Sequence, residues 1–113
     1  MLTLPYTFQY YFYSVPADMR KSFNGLHFLI QDRFEIKDLP GKMFVFINKR
    51  KNSVKVFYWD NDGFAIWYKK LELGKFQFPK SEEKYLVISH EIISQIFLGF
   101  DIKCSKKLVR FSS

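Results

Sequence analysis

A chain of 113 residues of which 48% are hydrophobic is long enough for one core and too short for two domains of ordinary size, and it excludes disorder as the main state. Eighteen lysines and arginines against eleven aspartates and glutamates leave a formal charge of +7, which favours polyanionic partners, with a solvated basic surface as the plain alternative. Apolar runs such as "MFVFI" and "YLVIS" are of strand length, far short of the roughly 18–20 residues that a bilayer-spanning helix needs. Aromatic residues reach 20%, with 14 phenylalanines, so a small domain here has unusually large side chains to bury. The single cysteine, Cys104, has no internal partner, and the first residues lack a basic segment followed by an apolar run and a cleavage site, which leads us to expect a reducing cytoplasm.

In chain order, residues 6–15, "YTFQYYFYSV", read as a first strand that ends at Pro16, which has no N–H for a ladder. Asp18 stands in an N-cap position, and Met19, Phe23, Leu26 and Ile30 follow at helical spacing, which predicts a helix over 19–33. Gly25 weakens that helix by about 1 kcal/mol relative to alanine, a cost we attribute to close packing against the sheet. "DLPG", 38–41, is a turn signal. Strands are predicted at 43–48, 54–60 and 64–71, separated by turn-forming residues at hairpin lengths, which makes a meander. A short strand "KFQFP" and an edge strand over 83–89 follow. A last helix starts at Ser89 as N-cap and ends near Gly99. The expected architecture is α+β: an antiparallel meander of about four to five strands packed with two helices over residues 1–100, then a basic tail over 101–113.

Lys42, Lys49, Arg50, Lys51 and Lys55 form the densest run of positive charge, with no acidic residue between them. Three of them fall at a predicted hairpin tip, where long side chains reach a phosphate backbone without disturbing the core. Alternation puts Lys55, Phe57 and Trp59 on one face of their strand, and adding Trp67 and Lys69 to that face would make a platform for bases and phosphates. The competing expectation is that helices cover both faces and the aromatics are core.

"DNDG", 60–63, fails as a calcium loop, because with Gly63 at loop position six, Tyr58 and Lys69 stand where acidic ligands are needed. His27, His90 and Cys104 have no zinc-ligand spacing, and of Asp18, Asp60, Asp62 and Glu72, which could in principle meet around magnesium, three have adequate local roles in caps and turns. No nucleophile elbow or phosphate loop is present, so no catalytic residue, metal or cofactor is assigned.

"PADMRKSFNGL", 16–26, and "MFVFINKRKNSVKVFYWDNDGFAIWYKKLELGKFQFP", 43–79, resemble the TnpB accessory proteins of insertion sequences of the IS66 type, a family unrelated to the RNA-guided nucleases that share the TnpB name. The shared pattern comprises Asp18, Met19, Arg20, Lys21, Ser22, Gly25 and Leu26, then Asn48, Arg50, Lys55, Trp59, Asp60, Asp62, Gly63, Phe64, Lys69, Leu71, Glu72 and Gly74. Asn24, Asn52 and Phe78 depart from it, and the basic tail lies outside it. The resemblance implies a protein of a bacterial mobile element, encoded beside a separate transposase that carries the acidic catalytic residues, and contributing no catalytic residues of its own. We therefore expect a non-enzymatic transposition factor that binds DNA, the transposase, or both. Lys49, Arg50, Lys51 and Lys55 are the expected phosphate contacts, with Arg20 and Lys21 second. The alternative is a module that docks the transposase, or a second copy of itself, through an aromatic sheet bearing Trp59 and Trp67.

Overall fold

The computed structural model describes residues 2–98, so the expected end of the last helix at Gly99 and the tail 101–113 lie outside the described residues. Five strands, β1 (Gln9–Tyr13), β2 (Lys42–Ile47), β3 (Ser53–Asp60), β4 (Gly63–Lys70) and β5 (Tyr85–Ile88), form one sheet in the order β4-β3-β2-β1-β5. Two helices, α1 (Phe23–Leu29) and α2 (His90–Phe97), complete the α+β architecture, and α1 runs on into a π-helical segment, Ile30–Phe34. The antiparallel meander, expected over about four to five strands, is confined to β2-β3-β4. β1 lies on the far side of β2 and runs parallel to it, because the chain between them crosses over through α1, and β5 closes that side antiparallel to β1.

Strand β2 from Met43 to Ile47 and β3 from Ser53 to Phe57 are buried on both faces. One face carries Tyr10, Phe12, Met43, Val45, Val54 and Val56, and is covered by Ile93 and Ile96 of α2 and by Phe76. The opposite face carries Tyr13, Phe44, Phe46 and Phe57 under Leu26, Ile30 and Phe34. This two-sided burial explains why "MFVFI" reads as an unbroken apolar run rather than an alternation.

Three local expectations need correction. The first helix begins at Phe23, not at residue 19, because Asp18 caps a tighter turn: its Oδ1 accepts from the Arg20 N–H at 2.9 Å and its carbonyl from the Lys21 N–H at 3.0 Å. Ser22 then takes the N-cap position without a side-chain hydrogen bond. At Gly25 an added Cβ would meet Cβ and Cγ of Lys21 at 3.2 Å, so the crowding comes from a lysine stem and not from the sheet. "KFQFP" is not a strand. Gly74, at φ 86°, turns this segment onto the α2 side, where Phe78 stacks on Phe12 at 4.1 Å and Phe76 is buried. Other signals appear where the sequence places them: the Ser89 side chain accepts from the Ile92 N–H, and Asn61 takes the left-handed conformation in the β3–β4 turn.

Phe34 fixes the crossover. Its ring lies 4.9 Å from that of Tyr85, 5.3 Å from Phe44 and 5.7 Å from Tyr13, so one side chain joins the helical segment to three strands. Phe34→Ala is expected to lower stability by about 3–5 kcal/mol in denaturant unfolding, the range for an aromatic lost from a core. A loss below about 1 kcal/mol would show that the crossover is held elsewhere.

Candidate nucleic-acid interface

The turn between β2 and β3 is built around Asn48. Its Oδ1 accepts from the N–H groups of Asn52 and Ser53, both at 3.0 Å, its Nδ2 donates to Asn52 Oδ1 at 2.7 Å, and its carbonyl accepts from the Lys51 N–H at 3.0 Å. Closing the loop this way puts Lys51 in the left-handed region at φ 64°. Residues 71–76 are tied to the same turn, since the Asn52 carbonyl accepts from the Leu71 N–H at 2.7 Å and the Lys51 carbonyl from the Phe76 N–H at 2.8 Å. The tip is therefore a pinned platform rather than a free loop.

Lys49, Arg50 and Lys51 project from this platform, all exposed. The three salt bridges among the described residues, Arg20–Asp18, Arg33–Asp32 and Lys42–Asp38, leave all three tip cations out. Sequence order hides their neighbours. Register places Lys70 opposite Ser53, beside the turn, and Lys75 joins Arg50, Asn52 and Gly74 around a shallow depression. A larger cleft, about 850 Å³, opens on the other side of the tip between Lys51 and Lys80, over a floor that includes Phe12, Phe76 and Phe78. Lys70, Lys75 and Lys80 escaped the sequence reading; the antiparallel β3–β4 register was the available signal for Lys70, whereas Lys75 and Lys80 depend on the fold-back after Gly74.

The remaining expected contacts fall differently. Lys55 is 9% exposed, and its Nζ donates to the Lys21 carbonyl at 2.7 Å while lying 4.9 Å from the centre of the Tyr68 ring. Its charge is thus turned inward, onto the backbone at Lys21. The Ala17 N–H donates to the Ile47 carbonyl at 2.8 Å, so the segment bearing Arg20 and Lys21 is fastened to β2 just before the tip. Arg20 is engaged by Asp18, with Nη2 2.6 Å from Oδ2, and this hydrogen bonding holds the Asp18 carboxyl down at about 2. The pair is therefore ionised at neutral pH, and Asp18 competes with a phosphate for the Arg20 guanidinium.

Trp59 and Trp67 do not share a face. Val56 pairs with Trp67 and Trp59 with Phe64, so Trp59 faces α1 with Phe57, whereas Trp67 faces α2 and packs on Phe97 at 5.4 Å. The expected platform of Lys55, Phe57, Trp59, Trp67 and Lys69 is thereby divided between the two sides of the sheet. Both histidines have packing roles: His27 lies 4.8 Å from the Phe64 ring, and His90 Nε2 sits 2.8 Å from the Leu4 carbonyl. Among the described residues no three of His, Cys, Asp and Glu gather as a metal-ion site. Asp60 and Asp62 stand at the opposite end of the β3–β4 hairpin from the basic tip.

Known proteins share this chain's pattern. The family model described as IS66 Orf2 like protein matches residues 8–107, so the match takes in the first part of the segment over 101–113, which the resemblance had left out. An uncharacterized protein of Sinorhizobium fredii, y4jC, is 36% identical over 86 residues, covering 76% of this chain and 74% of its own. A second from the same organism, y4hO, is 31% identical over 85 residues, covering 75% and 74%. No solved structure matches the chain. A family match over most of the length makes this chain a member of the IS66 Orf2-like (TnpB) family of insertion-sequence accessory proteins.

Proposed function

We propose that this accessory protein assists transposition without catalysing it, by gripping the DNA phosphate backbone with the pinned β2–β3 tip while engaging the transposase of its element in the cytoplasm. The observation that carries the reading is the fixed projection of Lys49, Arg50 and Lys51, exposed and without ion-pair partners among the described residues. A cation held in place loses less freedom on meeting a phosphate than one on a mobile loop. Arg20 and Lys21 extend the surface, and Lys55 positions Lys21 from beneath. Contacts of this kind are sequence-independent, so preference for element ends would come from DNA shape or from the transposase.

A second reading, docking of the transposase through aromatic side chains, is favoured by half-buried Trp59 beside Phe64, their rings 5.1 Å apart. It differs in its salt response. Apolar docking survives high salt, and phosphate contacts do not.

Fluorescence anisotropy with a labelled duplex tests the first reading. Arg50→Ala and Lys51→Ala are each expected to weaken binding to every sequence alike and to reduce the slope of log affinity against log salt by about one. Unchanged affinity in both variants would contradict the assignment. Asn48→Ala keeps every cation but removes three side-chain hydrogen bonds from the turn, so it is expected to cost about 1–3 kcal/mol. It should also speed hydrogen exchange at the Asn52 and Ser53 amides and lower DNA affinity. An Asn48→Ala protein with wild-type affinity would show that the geometry of the tip is irrelevant.

A further inference from the structure

Strand β4 is a sheet edge, with eight continuous pairs to β3 on one side. Among the described residues no backbone hydrogen bond is formed on its other side. The Leu71 N–H donates to Asn52, so in this register Lys69, Trp67, Ala65 and Gly63 turn their backbone groups toward β3. Phe64, Ile66, Tyr68 and Lys70 turn theirs outward.

An edge this long is ordinarily blunted by a proline, a bulge, or lysines along its length. β4 has no proline, its register is unbroken, and its lysines, Lys69 and Lys70, sit only at the last two positions. The opposite edge, β5, has four residues. Apolar surface accompanies the open ladder: Phe64 is 38% exposed and Tyr68 51%.

The charges along this edge are arranged end to end. Asp60 and Asp62 lie at its start, and Lys69 and Lys70 at its finish. We infer that β4 pairs antiparallel with β4 of a second copy of this chain, about a two-fold axis at Ile66, joining two sheets into one of ten strands. In that register Ile66 faces its own equivalent, Phe64 faces Tyr68 of the second copy, and Asp62 faces Lys70 of the second copy. The outward backbone groups of Phe64, Ile66 and Tyr68 gain partners, whereas the Asp62 N–H stays with the Asp60 carbonyl and Asp62 meets Lys70 through its side chain; the symmetric operation brings each acidic end to a basic one. A parallel arrangement would set like charges together.

The second copy is favoured over an unrelated strand because the pattern is complementary to itself. Pairing also places the two basic tips at opposite ends of the joined sheet, a spacing that lets one dimer hold two DNA segments. Self-pairing does not rest on the DNA reading, and its test contains no DNA.

Sedimentation equilibrium of the full chain over a wide concentration range is the experiment. The expected result is a reversible dimer of twice the 13.6 kDa chain mass. Asp62→Lys and Lys70→Asp, each of which sets like charges opposite one another twice per dimer, should each weaken dimerisation about tenfold or more. Asp62→Lys combined with Lys70→Asp should restore it. A thermal melt of each variant establishes that the fold is retained. A chain that stays monomeric at every concentration overturns the inference, even if its edge accepts a strand from another protein. A dimer indifferent to the single reversals, or not rescued by the double one, overturns it equally.

Discussion

Burial of β2 and β3 on both faces is the constraint on which the other elements depend. Phe44, Phe46 and Phe57 need a cover on one side and Val45, Val54 and Val56 on the other, so the chain must supply two separate lids. The crossover through α1 supplies one, and α2 with the segment around Phe76 supplies the other. With 20% aromatic residues, the chain assembles two cores on a small frame through large side chains rather than many residues. The lysines are then left to the ends and edges of the sheet, because a cation in either core would need a partner. Lys55 is the exception, and it has one in the Lys21 carbonyl.

That division of labour is what favours the surface proposed for DNA. A hairpin end cannot be covered by either lid, and here the end nearest the crossover gathers Lys49, Arg50, Lys51, Lys70 and Lys75. Asn48 makes it a fixed object, since its side chain satisfies backbone groups that a mobile tip would leave to water. Asp60 and Asp62 occupy the far end, so the hairpin is electrically polar along its length. In the function proposed, the same polarity that offers one end to phosphate lets β4 complement itself. The proposed recognition of nucleic acid and the proposed self-pairing thus draw on one charge pattern, with Lys70 common to both.

Much of this was legible from residues alone. Hairpin lengths and the Asn61–Gly63 turn marked the meander, because turn chemistry is local and its residues sit next to each other. Ser89 marked α2 for the same reason. The first helix was misplaced at its start because Asp18 is equally suited to capping a helix or a turn, and the choice is made by Arg20 and by the Ile47 carbonyl, which is remote in sequence. The position of β1 beside β2 is likewise a tertiary outcome that no local pattern encodes. For the site, the run Lys49–Lys51 was visible as charge, but the inward turn of Lys55 depends on a carbonyl 34 residues away. The separation of Trp59 from Trp67 turns on a register in which a shift of one residue would exchange the faces.

What distinguishes a pinned basic tip from diffuse electrostatic coating is where on the molecule DNA is felt. The most direct measurement is the amide chemical-shift map of the isotopically labelled chain as a short duplex is added at moderate salt. Shifts concentrated at 48–53, 71–76 and 18–21, with α2 and β5 unmoved, are the expected result. Shifts spread evenly over every exposed lysine, or strongest on α2 and β5 themselves, would contradict a DNA interface at the β2–β3 tip.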